Sequence, residues 1–180
     1  MTAPVADAGG EALAESAGFR RFYAEALPHV YGYFIHRCGG RAHVAEELTQ
    51  ETFVAAVREL RKGVRVEVPQ PWILGIARHK LLDHYRREDR ELRRLHLVPD
   101  PDDLEVAETA RDDGWTRDRV VAALAQVSAA QRAALALRYL DGLAPPEVAQ
   151  ALGRSLHATE SLLARGRESF RRAYREAEDA

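Results

Sequence analysis

At 180 residues the chain can form one domain or two small helical modules, and modules of roughly 70 residues sit near the lower limit for independent stability. Hydrophobic residues make up 46% and charged residues 30%, with no alternating strand pattern, a composition that favours an all-helical protein. The formal net charge of −2 excludes holding duplex DNA by unaided electrostatics, and the single cysteine, Cys38, excludes an internal disulfide or a CxxC metal knuckle.

Residues Met1 to Gly18, rich in Ala, Gly, Glu and Asp, read as a mobile leader. The stretch to Ala17 lacks the basic start and apolar centre of a signal peptide, and no apolar run is long enough to span a bilayer, so a cytoplasmic location is expected. From Phe19 a helical pattern runs through Phe22, Leu27, Val30, Phe34 and Ile35, with an interruption or kink expected at Pro28 and a stop at Gly39-Gly40.

Over Val44 to Leu60, Ala45, Leu48, Thr49, Phe53, Ala56 and Leu60 share one helical face, while Glu47, Gln50, Glu51 and Arg58 share the other. The first face reads as core and the second as exposed. A loop over Lys62 to Gln70 leads into a helix opening at Pro71 and running to about Arg94. On that helix Trp72, Ile76, His79, Asp83 and Arg86 recur at spacings of 4, 3, 4 and 3, aligning an aromatic ring with polar and basic groups. Trp72 and Ile76 could instead close the core, with Asp83 and Arg87 forming an i,i+4 pair.

Residues 98–114 carry prolines and a strongly acidic run, and read as a flexible acidic linker. The second module starts near Trp115, with a helix over Arg119 to Val127 and another opened by a capping box at Ser128-Ala129-Ala130-Gln131 and ended at Asp141-Gly142. Pro145 to Gly153 is a short helix with a terminating glycine, followed by a longer basic helix reaching Arg175. Short helix, glycine turn and longer basic helix is the order of a helix-turn-helix. In the last helix Leu156, Thr159, Leu163, Gly166 and Phe170 read as the buried stripe, and His157, Glu160, Ser161, Ala164, Arg165 and Arg171 as the outward set.

Three blocks in this order resemble the extracytoplasmic-function group of the sigma-70 superfamily: Ala45 to Phe53; Pro71-Trp72-Ile73 with Ile76-Ala77, Asp83 and Arg86-Arg87; and the helix-turn-helix with Ser161, Leu163, Arg165 and Arg167. The resemblance implies a sigma-2 helical bundle over 19–97 and a sigma-4 helix-turn-helix domain over 115–180. It implies that Glu47, Gln50 and Glu51 contact the bacterial core RNA polymerase, since carboxylates on a rigid helix accept charge-assisted hydrogen bonds from a basic partner.

It further assigns Trp72, His79, Lys80, Arg86 and Arg87 to the single-stranded minus-10 element, where bases stack on aromatic rings and basic groups follow phosphates. His157, Glu160, Ser161, Ala164, Arg165 and Arg171 would meet the duplex minus-35 element in the major groove. His79 stands where the family usually has Asn, and Glu160 where it generally has a basic residue. An anti-sigma protein is the further partner implied; no cofactor, metal or catalysis is expected. A helix-turn-helix regulator acting on duplex DNA alone is the rival reading, but it leaves the acidic face of the Ala45 helix and the Trp72 stripe without purpose. His79, Asp83 and His84, or His36, Cys38 and His43, fall short of a complete metal-ligand set.

Overall fold

The computed structural model describes residues 16–94 and 116–177, and the described residues form seven α-helices and no strand. The leader up to residue 15, the acidic linker 98–114 and Trp115 lie outside the described residues. Two compact units emerge, one drawn from Met1–Phe34 and His43–Leu81, the other from Ile35–Ala42 and Leu82–Ala180. The two longest N-terminal helices therefore contribute residues to each.

Helix α1 spans Ser16–Arg37 and buries Phe22, Ala26, Val30 and Phe34 at four-residue spacing. Ser16 to Gly18, read as leader, are already helical. The helix also continues through Pro28, so of the interruption or kink expected there the interruption does not occur. Pro28 and Ala24 are both exposed, so water can serve the carbonyl that the missing N–H leaves without a helical partner.

Helix α2, Ala42–Arg61, buries Ala45, Leu48, Thr49, Phe53 and Ala56, as its pattern predicts, together with Val44 and Thr52, which the pattern does not name, whereas Leu60, expected in the core, is only half-buried. The two buried threonines need no outside partner. Thr49 Oγ1 donates to the Ala45 carbonyl at 2.6 Å and Thr52 Oγ1 to the Leu48 carbonyl at 2.7 Å. After a loop pinned by buried Val66, helix α3 runs from Pro69 to Arg94, two residues earlier than Pro71 suggested. Both prolines fall in the first turn, where backbone N–H groups lack helical acceptors anyway. Ile73, Ala77, Leu81 and Tyr85 form the buried stripe of α3, and Tyr85 Oη donates to the Arg37 carbonyl at 3.0 Å.

Helix α4 spans Arg117–Gln126, and α5 spans Ala129–Leu135 before widening into a π-helical turn, Ala136–Leu140. The predicted capping box is present: Ser128 Oγ accepts from the Gln131 N–H at 3.3 Å, and Gln131 Oε1 accepts from the Ser128 N–H at 3.2 Å. Helix α6, Pro145–Leu152, ends at Gly153 with φ +66°, and α7 runs over Leu156–Glu176 with Ser155 as its N-cap. Helix α7 packs against α4, α5 and α6.

Candidate nucleic-acid interface

The polar face of α2 follows from its period: with Ala45, Leu48, Thr49 and Phe53 turned inward, Glu47 and Gln50 are exposed. Glu51 is half-buried, and its Oε2 lies 3.1 Å from Lys80 Nζ on α3. A residue expected to meet the polymerase is thus paired with one expected to meet DNA. Beside this face lies an open groove of about 680 Å³ lined by Tyr23, Leu27, Tyr31, Gln50, Phe53 and Val54, among others. The groove escaped sequence reading, although Val54 is an apolar residue on the polar side of α2 and is 49% exposed.

On α3, Trp72 and Ile76 are half-buried and His79 is exposed, whereas the core positions are Ile73 and Ala77. Trp72 therefore lies at the edge of the core, partly exposed. Asp83 pairs with Arg86 at 3.6 Å, one residue short of the Arg87 partner considered from spacing. Arg86 also donates from Nε to the Ala151 carbonyl at 2.7 Å, so it is engaged by the last turn of α6. Arg87 is exposed.

The helix-turn-helix α6–Gly153–α7 is formed, with His157 and Glu160 exposed and Arg165 and Arg171 half-buried. Two members of the outward set need correction: Ser161 is 8% exposed and Ala164 7%, both inside the packed part of α7. Leu156, assigned to the buried stripe, is instead exposed at the helix start. Three neighbouring helices cover a wider arc of α7 than a single stripe anticipates, and they leave its first turn open.

A charged cluster missed by sequence reading sits in the second unit. Arg41 grips Glu88 with two hydrogen bonds, of 2.7 and 3.3 Å, and Arg132 approaches the same carboxylate at 3.4 Å. Burial pushes the Glu88 carboxyl up, but the Arg41 hydrogen bond and both guanidinium charges hold it below its usual value. Burial, with Arg41, Arg87 and Arg132 nearby, keeps His84 below the usual imidazole value against the pull of Glu88. Burial also lowers Arg132, and it drives the enclosed Cys38 thiol up to about 11. Beside this cluster, Arg37 donates twice to Asp141 Oδ1 at 2.9 and 2.6 Å, and Arg154 pairs with Asp89 at 2.5 Å. The partners lie 44 to 104 residues apart, beyond any helical period. Among the described residues, no group of three His, Cys, Asp or Glu side chains could hold a metal ion, and no helix is long and apolar enough to cross a membrane.

Residues 22–91 match the family model of Sigma-70 region 2, and residues 117–170 that of Sigma-70, region 4. The ECF RNA polymerase sigma factor BldN of Streptomyces coelicolor is 28% identical over 157 residues, covering 82% of this chain and 57% of that protein. The ECF RNA polymerase sigma factor SigC of Mycobacterium tuberculosis is 30% identical over 132 residues, covering 70% of this chain and 68% of that protein. The solved structure of the sigma factor RpoE in complex with the anti-sigma factor NepR from Bartonella quintana aligns over 86% of this chain and 95% of that chain, at 22% identity and a TM-score of 0.45. The chain spans little more than half the length of BldN and of SigE from Mycolicibacterium smegmatis, 57% and 54% respectively. With region 2 matched on α1 to α3, region 4 matched on α4 to α7, and SigC similar over two thirds of its length, the chain belongs to the sigma-70 family, in its extracytoplasmic-function group.

Proposed function

We infer that this chain is a sigma subunit: it binds core RNA polymerase, directs it to a promoter, assists strand opening and itself catalyses no reaction. The observation that carries this reading is the presence, in one chain, of an exposed polar face on α2 and a formed helix-turn-helix, each inside a segment matching a sigma-70 region. Glu47, Gln50 and Glu51 supply acceptors for a basic surface of the polymerase. Trp72, His79, Lys80, Arg86 and Arg87 serve the single-stranded minus-10 element, through stacking and phosphate contacts.

His157, Glu160, Arg165 and Arg171 serve the minus-35 duplex; Ser161 and Ala164 would need a rearrangement of the packed α7 to join them. The domain limits 19–97 and 115–180, a cytoplasmic location and an anti-sigma partner complete the proposal. The polymerase supplies the phosphodiester chemistry, so the chain needs no cofactor of its own. Reconstitution with core polymerase on genomic promoter fragments tests the reading. Binding to core and promoter-specific initiation are expected. A chain that neither binds core nor directs initiation, or that protects a palindromic duplex alone, overturns it in favour of an independent regulator.

A further inference from the structure

A recognition helix reads base edges with the residues near its N-terminus, and there α7 shows solvent a narrow set of side chains. Over residues 156–163 the exposed ones are Leu156, His157 and Glu160; Ala158 is half-buried, and Thr159 and Ser161 to Leu163 are buried. Leu156 is 44% exposed, whereas the other large apolar residues of this helix, Leu162, Leu163, Phe170 and Tyr174, are buried.

Cations are missing from this tip. Residues 156–164 contain no Lys or Arg. Just before the helix, Arg154 is turned to Asp89 with its side chain only 4% exposed, and beyond the tip Arg165 Nε donates to the Ser161 carbonyl at 3.4 Å. The exposed Arg172 and Arg175 lie more than three turns past Glu160, where they suit phosphates. The commonest base contact, a bidentate Arg on guanine, therefore has no donor among the exposed residues of the first two turns.

An aliphatic group and a carboxylate favour other bases. In the major groove thymine alone carries an apolar group, its C5 methyl, and cytosine alone offers a donor, at N4, with no acceptor on the same base. A carboxylate accepts from that donor. Facing guanine it meets two acceptors, O6 and N7, and facing adenine it meets the N7 acceptor beside the N6 donor. Leu156 and Glu160 are four residues apart, so they share one face of α7 about 6 Å apart along its axis. That span is less than two steps of B-form DNA at ~3.4 Å per step.

We propose that Leu156 and Glu160 are the specificity determinants for the upstream promoter element: Leu156 selects thymine through its methyl group, while Glu160 selects cytosine through N4 and rejects guanine, within two base steps of each other. The inference rests on the sigma reading above and adds to it the bases that are read. A carboxylate among phosphates adds no general affinity, so Glu160 acts by discriminating between sequences rather than by strengthening binding.

The test selects active promoters from a library with a randomised upstream element, using the full chain with core polymerase. A parallel selection of random duplexes uses the full chain alone at low salt. The parent is expected to enrich cytosine over guanine about tenfold at one position, and thymine about fourfold within two positions of it. Glu160→Gln is expected to move the cytosine position to adenine, whose N6 and N7 match a carboxamide, and Glu160→Arg to move it to guanine. Leu156→Ala is expected to abolish the thymine preference and keep the cytosine. Both residues are exposed, so helicity by circular dichroism should stay parental in every variant, which separates lost readout from lost folding.

A parent that enriches no cytosine, or a cytosine position that both Glu160 variants leave unmoved, overturns the role of Glu160. A thymine preference that survives Leu156→Ala overturns that of Leu156. A parent that directs no initiation defeats the sigma reading, and the selection without polymerase then decides the base assignments by the same shifts. A chain that enriches no sequence in either selection overturns both.

Discussion

The interior of the first unit and the charged contacts of the second solve the same problem of burying polar groups in opposite ways. In α2, Thr49 and Thr52 are buried, and each satisfies its hydroxyl on a carbonyl four residues back in its own helix. In the charged contacts of the second unit, Arg132, Arg154 and Asp141 take ion-pair partners from distant parts of the chain, and each still has one buried atom with no hydrogen-bond partner among the described residues. A group satisfied within its own helix imposes no condition on its neighbours. A group satisfied only by a residue distant in sequence makes its burial conditional on the packing of the helices that carry the two.

The strongest way to break this contrast is to attack the apolar interior. Phe34 is fully buried, and Phe34→Ala is expected to cost about 3–5 kcal/mol, enough to unfold much of a small module, as read by denaturant titration. A loss below about 1 kcal/mol would show that the first unit is not held by its apolar stripe. Glu88→Ala should cost less, on the order of 2 kcal/mol, by removing the carboxylate partner of Arg132, whose side chain is only 5% exposed; the Leu124 and Val127 carbonyls that Arg132 Nη1 keeps and the partial exposure of Arg41 moderate the effect. A cost as large as that of Phe34→Ala would show that these charged contacts hold their unit as firmly as the apolar stripe holds the first.

Acidification sharpens the comparison without mutation. His84 and Glu88 are both held below their ordinary values of 6.5 and 4.5, so the unfolded state binds more protons wherever these groups begin to titrate. Their contribution is fully present above about 6.5, falls first through His84 as pH drops below that value, and falls again through Glu88 below about 4.5. Thermal unfolding at pH 7.5 and 5.5 should show a lower Tm at the lower pH, and His84→Gln should diminish that difference. An undiminished difference would assign the upper part of the dependence to other groups.

The smallest effect on stability is expected from Glu47→Lys, within about 0.5 kcal/mol, because Glu47 is exposed. The same change should weaken core-polymerase binding by placing a cation opposite a basic surface, as measured by competition for core. Wild-type affinity would remove Glu47 from the interface.

Local chemistry was legible before any coordinates. The apolar period of α2 named five of its seven buried residues, Ser128 and Gln131 announced their reciprocal cap, and Gly153 marked the turn between α6 and α7. These features depend on residues within one or two helical turns, where backbone geometry dictates which side chains meet. Tertiary structure alone decided how much of each helix is covered and which distant charges meet. Periodicity gives the direction of a helical face but not the number of helices packed against it, so Ser161 and Ala164 are buried and Leu156 is not. Nor does sequence spacing pair Arg41 with Glu88, Arg37 with Asp141 or Arg154 with Asp89, because those contacts form only where separate helices converge.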